Sequence, residues 1–223
     1  MKNPNTTLIP ATHLGEQGVL EVDAIWQSDV LAIICHPNPK AGGDMNNKVI
    51  TTTYRVCREQ GVSVVRFNYR GVGRSSGVIE YGDGEFFDTL AVLDWAVKQA
   101  NQRQIYSKKL WLFGFSFGGF VACRVADYLT KNPIITLDKL VLISPSIQWN
   151  NPTGLVLDSA NTHVIYGDAD EWVSPESMAK FADDFGLPKT VMTGAGHFFS
   201  GRLSELGQIL TNLLINSPAS SDL

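Results

Sequence analysis

The chain contains 223 residues with a net charge of −4 at neutral pH, and its apolar fraction of 44% is enough to bury a sizeable core. The mild charge and the scattered acidic residues argue against binding to nucleic acid or to a membrane surface. The polar N-terminal stretch MKNPNTTLIPATHLGEQG lacks the apolar run of a secretory signal, and no segment has the length of a transmembrane helix, so we expect a cytoplasmic protein.

Short apolar, β-branched runs predict seven strands along the chain. They cover residues 19–26, 30–37, 62–69, 109–115, 139–145, 162–168 and 189–195. Helical patterns between them predict five helices. These cover about 46–60, 85–101, 117–131, 175–185 and 198–215. The alternation predicts one α/β domain over residues 1–223, with a mostly parallel, twisted sheet of seven or eight strands and helices on both faces.

Two details of the connections refine this prediction. The first two predicted strands are joined by a segment too short to hold a helix, so one of them must run antiparallel to its neighbours. The last residues, 217–223, are predicted to form a flexible tail.

The three cysteines, Cys35, Cys57 and Cys123, each lie inside an apolar segment. Their odd number and their surroundings predict buried, reduced thiols rather than a disulfide framework. Because no Cys and His spacing typical of zinc occurs, we expect neither a metal ion nor another cofactor.

A lone hydroxyl stands between glycines in GFSFGG, where a predicted strand would pass directly into a helix. Such a turn strains the residue at its centre, Ser116, and requires small neighbours, which Gly114 and Gly118 supply. The hydroxyl then projects above the helix N-terminus, whose dipole favours developing negative charge. The motif alone is a weak signal, and a tight turn with an incidental serine is the alternative.

A serine hydroxyl needs a base, and the base needs an orienting acid. His197, in GAGHFF after the last predicted strand, is the candidate base; His13 is expected at the surface, and His163 is expected to be structural. The acid is expected in YGDADEWVSPE, which offers Asp168, Asp170 and Glu171, and periodicity does not choose among them. The order serine, acid, histidine is that of the α/β-hydrolases.

Two backbone N–H groups are candidates to stabilise an oxyanion. One belongs to Phe117, which follows the candidate nucleophile. The other lies in HPNPKAGG, where the prolines at 37 and 39 have no N–H and leave Asn38 as the donor among residues 37–39. A simple proline turn is the alternative interpretation of this loop.

Four segments together resemble the α/β-hydrolase superfamily: CHPNPKAGGDMNNKV, VRFNYRGVGRSSG, GFSFGG and YGDADEWV. The resemblance covers nearly the whole chain and is greatest to a small, lidless bacterial group of serine hydrolases or esterase-like proteins. It implies that Asp170 is the acid of a Ser116, Asp170, His197 triad. Tyr166 and Pro37 depart from the family pattern, which usually has His and Gly there, but neither departure removes a catalytic group.

The remaining segments predict the surroundings of the site. The loop RGVGRSSG lacks the features of a phosphate-binding loop and is predicted to be a structural turn, with Arg70 and Arg74 as minor candidates for binding an anionic group. Residues 146–161 are too few for a helical lid, so the pocket should be open. We expect substrate to contact His36, Trp149, Trp172 and Phe198, with Phe199 as a further aromatic residue in the wall of the site. Ordinary core packing is the alternative for these aromatic residues.

These residues predict a carboxylesterase-like serine hydrolase that cleaves a small ester, thioester or amide through an acyl-enzyme. Its partner would be a small acyl substrate, and the sequence does not determine the oligomeric state. A related protein that only binds a small ligand is one alternative. A carbon–carbon bond hydrolase or a cofactor-free haloperoxidase, which use the same triad, is another.

Overall fold

Residues 6–215 are described by a computed structural model, and they fold around one eight-stranded sheet. The predicted tail at 217–223 lies outside this range. The strands are β1 (Thr7–Pro10), β2 (Val19–Ile25), β3 (Val30–Cys35), β4 (Ser63–Asn68), β5 (Lys109–Phe115), β6 (Thr136–Ile143), β7 (Thr162–Gly167) and β8 (Lys189–Met192). Their order across the sheet is β1-β2-β4-β3-β5-β6-β7-β8.

The sheet is parallel from β4 to β8 and antiparallel at its first edge. As predicted, one of the first two predicted strands is antiparallel: β2 pairs in opposite sense with β4. The strand β1, which pairs antiparallel with β2, was not predicted. It has only four residues, and Ile9 alone among them is buried, so it shows no apolar run.

Five helices cover both faces of the sheet, as predicted. They are α1 (Lys48–Glu59), α2 (Asp83–Gln102), α3 (Phe117–Lys131), α4 (Pro175–Asp184) and α5 (Leu203–Ile215). The helices α1 and α5 pack on one face, and α2, α3 and α4 pack on the other. Alternate residues of the central strands enter the two cores: Ile33 faces α2 and α3, while Ile34 faces α1.

The last helix begins five residues later than the pattern indicates. Residues 198–202 form turns, in which Phe199 and Gly201 have positive φ angles of 50° and 75°. Left-handed backbone does not continue a right-handed helix, so α5 begins only at Leu203.

The cysteines Cys35, Cys57 and Cys123 are free and buried, as predicted. Burial raises the pKa of the Cys35 thiol to about 11, so the thiol is neutral at physiological pH. Within residues 6–215, no helix combines the length and apolar character that a bilayer crossing requires.

Two helical glycines offer a matched test of the packing between α3 and β3. A Cβ at Gly118 would overlap the carbonyl oxygen of Cys35, whereas a Cβ at Gly207 in α5 would lie 3.6 Å from its nearest neighbours, an ordinary contact. We expect Gly118→Ala to lower the free energy of unfolding by about 1–3 kcal/mol. Gly207→Ala should raise it by up to about 1 kcal/mol, through helix propensity. Urea denaturation followed by circular dichroism measures the unfolding free energy of both variants. Equal effects would contradict the close approach of α3 to β3.

Candidate active site

Ser116 occupies a strained turn between β5 and α3. Its φ of 55° is rare for a residue with a side chain. Hydrogen bonds hold this backbone in place: the Ser116 N–H donates to the Ile143 carbonyl at 2.9 Å, and its carbonyl accepts the Ser146 N–H at 3.0 Å. A Cβ at Gly114 would overlap the Gly118 carbonyl, so the turn requires glycine there. The hydroxyl therefore faces out from the carboxyl edge of the sheet.

His197 links Ser116 to Asp170. The His197 Nε2 atom lies 3.0 Å from Ser116 Oγ, and Nδ1 lies 2.8 Å from Asp170 Oδ2. The histidine and the aspartate are 2% and 7% exposed. An ionised carboxylate only accepts hydrogen bonds, so Nδ1 carries the proton and the Nε2 lone pair faces the serine hydroxyl.

The Asp170 carboxylate stays ionised although it is buried. Burial by itself raises its pKa, but hydrogen bonds from His197 and from the N–H groups of Val173 and Trp172 outweigh this effect and hold the pKa below its usual range. The two N–H groups donate to Oδ1 at 2.8 Å and 2.9 Å. The carboxylate is therefore oriented before any ligand binds.

The other two candidate acids hold loops in place. Asp168 is exposed, and its Oδ1 accepts the Gly194 N–H at 2.5 Å. The Glu171 carboxylate accepts the His197 N–H at 3.1 Å. Both contacts tie the loop after β7 to the loop after β8. The Asp168 side chain therefore does not cap its own turn, because its bond crosses to the neighbouring loop.

The structure places both predicted N–H donors at the same cleft as Ser116. Strands β3 and β5 are neighbours, with Cys35 opposite Gly114, so the loop carrying Asn38 lies beside the turn. Among the described residues, neither the Asn38 N–H nor the Phe117 N–H donates to another protein group. Both amides are therefore available to a ligand.

The cleft above Ser116 is open and has a volume of about 370 Å³. The side chains of Trp149 and Trp172, which are 76% and 51% exposed, line it together with Phe198. The Trp172 ring stacks on the His197 ring, with centroids 6.0 Å apart. Phe199 does not line the cleft as expected, because its reversed backbone turns the side chain into the core beneath α5.

His36 is fully buried and does not line the cleft, so the expectation that it binds substrate is wrong. Its Nε2 accepts the Tyr69 N–H at 3.0 Å, and its Nδ1 lies 2.7 Å from the Pro37 carbonyl. Since Nε2 must accept, Nδ1 carries the proton and donates. Burial lowers the pKa of His36 to about 4, which keeps the ring neutral. The ring anchors the loop that presents Asn38.

The two arginines considered as anion-binding groups face structural partners. Arg70 is buried and binds Asp88 at 2.9 Å, and Arg74 binds Glu21 at 2.9 Å. Both arginines lie outside the cleft, and their loop is a structural turn, as predicted. Within residues 6–215, no group of three or more His, Cys, Asp or Glu side chains could hold a metal ion.

The remaining two histidines have structural surroundings. His13 lies at the surface, with Nε2 2.7 Å from the buried Asp88. His163 is 2.8 Å from the Thr190 hydroxyl on the neighbouring strand. Neither ring lines the cleft.

Sequence patterns missed one contributor to the geometry, Gln148. Its amide donates to the Trp172 carbonyl at 3.1 Å and accepts the Ser174 N–H at 2.8 Å. It thereby braces the loop after β6 against the turn that orients Asp170. No sequence signal identifies this role, since Gln148 is an exposed polar residue in a segment without regular structure.

Comparisons with known proteins identify relatives that match the chain in sequence and in fold. The family model described as serine aminopeptidase, S33, matches residues 52–162. An α/β serine hydrolase homologue from Coxiella burnetii is 35% identical, with 96% of this chain and 99% of that chain covered and a TM-score of 0.82. A lidless α/β serine hydrolase from Xanthomonas campestris is 32% identical, with 99% of both chains covered and a TM-score of 0.82. An uncharacterised Rickettsia prowazekii protein is 29% identical over 195 residues, 83% of this chain and 78% of its own length.

The neutral, buried state of His36 predicts a pH dependence of stability. In the unfolded chain His36 takes up a proton at about pH 6.5, whereas its pKa in the folded protein is about 4. Between these values the unfolded state binds more protons, so stability falls as the pH is lowered.

The variant His36→Gln keeps an acceptor for the Tyr69 N–H but does not titrate. From pH 7.5 to pH 5, the free energy of unfolding should fall by about 2 kcal/mol more in the wild type than in the variant. Urea denaturation at the two pH values measures the difference. Equal losses of unfolding free energy in the two proteins would contradict the assignment of His36 as a buried, neutral ring.

Proposed function

Since the chain belongs to the lidless α/β serine hydrolases, we propose that it cleaves a small ester, thioester or amide through a catalytic triad of Ser116, His197 and Asp170. The observation that carries the proposal is the continuous series of hydrogen bonds from Ser116 Oγ through the imidazole to Asp170. This series lies on the floor of an open cleft. A non-catalytic ligand-binding protein has no need for such an arrangement.

The geometry supports acylation of Ser116. As Ser116 Oγ attacks the substrate carbonyl, its proton passes to Nε2 of His197, and Asp170 stabilises the resulting imidazolium. The oxyanion accepts hydrogen bonds from the N–H groups of Asn38 and Phe117, and each such donor contributes about 10²–10³ in kcat. The N-terminus of α3 adds favourable potential at the same point.

His197 then returns its proton to the leaving group, and the acyl group remains on Ser116 as an ester. In the second half of the reaction, water gives a proton to His197 and attacks this ester. His197 then passes that proton to Ser116 Oγ as the acid leaves, which restores the serine. The open cleft gives water access to the acyl-enzyme.

The size and lining of the cleft support a small acyl substrate. A volume of about 370 Å³ is near the lower end of ligand sites, which run from about 300 to 1,000 Å³. The apolar rings of Trp149, Trp172 and Phe198 favour a short acyl chain or a flat apolar group.

Labelling with a fluorophosphonate probe tests the function. We expect covalent modification of Ser116 in the folded protein at neutral pH, because His197 activates only this hydroxyl. Ser146 lines the same cleft but has no histidine within hydrogen-bond distance, so the peptide containing it should stay unmodified. Mass spectrometry locates the label, and a folded protein that remains unlabelled at Ser116 would refute the proposal.

The two aspartates of the turn after β7 form a matched pair. We expect Asp170→Asn to reduce kcat on the order of 10⁴, the loss found for the orienting acid of a serine-protease triad, with folding intact. Asp168→Asn should retain most of kcat and lower the free energy of unfolding by at most about 1 kcal/mol. Hydrolysis of p-nitrophenyl acetate and urea denaturation measure the two effects. The reverse pattern would make Asp168 the acid.

A further inference from the structure

A second, polar cleft of about 470 Å³ adjoins the cleft above Ser116. The two clefts share Asn47 and Phe198 as a common wall. The polar cleft lies between the N-terminus of α1 and the segment that leads into α5. Its lining consists of Asp44, Asn46, Asn47, Lys48, Phe198, Ser200, Gly201 and Leu203. The proposed chemistry does not yet use this space.

Its two charged residues have no charged partner in the described part of the chain, while the Asn47 side chain accepts the Val49 N–H at 2.9 Å. Within residues 6–215, neither the Lys48 ammonium nor the Asp44 carboxylate forms an ion pair, and both residues line this cleft. The Asp44 carboxylate accepts a single hydrogen bond, from the Asn46 N–H at 2.8 Å. The cleft therefore presents one positive and one negative group to an occupant.

The position of His197 determines which part of a substrate enters the polar cleft. His197 must deliver its proton to the leaving oxygen, so the leaving group departs on the histidine side. Residues 198–203 follow this histidine directly and form one wall of the polar cleft. We expect this to leave the acyl chain in the first cleft, which Trp149 and Trp172 line, and to direct the alcohol past Phe198, which both clefts share.

The paired charges indicate the chemistry of that alcohol. An anionic leaving group is attracted by Lys48 but repelled by Asp44. A cationic leaving group is attracted by Asp44 but repelled by Lys48. A leaving group with both an ammonium and a carboxylate gains at both positions. We propose that the polar cleft binds the leaving group and selects esters of zwitterionic alcohols, an inference that rests on the proposed function.

The reaction balances without another reactant. The acyl carbon forms its bond to Ser116 Oγ, and the bond to the alcohol oxygen breaks. That oxygen receives the proton from His197 Nε2, and the zwitterionic alcohol leaves the polar cleft.

Four butyrate esters of related secondary alcohols test the proposal. Carnitine carries both charges, β-methylcholine carries only the ammonium, 3-hydroxybutyrate carries only the carboxylate, and isopropanol carries neither. Each of the two partly exposed charge pairs should raise kcat/KM a few-fold. The kcat/KM for the carnitine ester should therefore exceed that for the isopropyl ester about tenfold. The two singly charged esters should stay within about threefold of the isopropyl ester, and high salt should remove the preference.

Charge-removing variants should change the preference in opposite directions. Lys48→Met leaves Asp44 and should make the β-methylcholine ester the preferred substrate. Asp44→Asn keeps an acceptor for the Asn46 N–H and should make the 3-hydroxybutyrate ester preferred. Lys98→Met, a change at an exposed lysine of α2, is the matched control and should leave all four ratios unchanged.

The outcomes separate the two proposals. Failure of the folded wild type to hydrolyse any of the esters, together with an unlabelled Ser116, would overturn the proposed function. Hydrolysis of all four with equal kcat/KM would leave that function in place and overturn the role of the polar cleft. The role of the polar cleft would also be overturned if the Lys48 and Asp44 variants kept the wild-type ratios of kcat/KM among the four esters. A wild type that preferred a singly charged ester would overturn it as well.

Discussion

The backbone turn at Ser116 is the constraint on which the site depends. A positive φ at a residue with a side chain costs on the order of 1–3 kcal/mol, and it persists only where the surroundings determine it. Here β5 is a central strand, paired on both sides, and its end is held to Ile143 and Ser146 by hydrogen bonds. The close approach of α3, which requires glycine at 114 and 118, completes the support.

Parallel strands bring the remaining groups to this turn. The loops after β3, β5, β7 and β8 leave the same edge of the sheet, and each contributes one part of the proposed machinery. Because no lid covers the cleft within the described part of the chain, contacts between these loops maintain the geometry. Gln148, Asp168 and Glu171 each join two loops by hydrogen bonds, and none of them touches the Ser116 hydroxyl.

Two buried histidines show how surroundings determine a role. His36 and His197 both follow strand ends, and both are almost inaccessible to solvent. Both nitrogens of His36 bond to the backbone, so its ring is committed to holding a loop. His197 has a carboxylate at Nδ1 and a hydroxyl at Nε2, so its ring is held with the Nε2 lone pair toward the hydroxyl.

Sequence alone predicts the alternation of strands and helices, the parallel sheet, and the grouping of Ser116, an acidic loop and His197 at one edge. These features follow from local periodicity and from the rule that parallel strands end together. Periodicity does not separate Asp168 from Asp170, and only the resemblance implied Asp170. Contacts of the folded chain turn Asp170 toward His197 and Asp168 toward the Gly194 N–H, since both lie on one short turn and the loops around it set their directions. The same holds for the buried state of His36, for the inward turn of Phe199 and for the brace at Gln148. These depend on contacts between residues far apart in the chain, which no local pattern encodes.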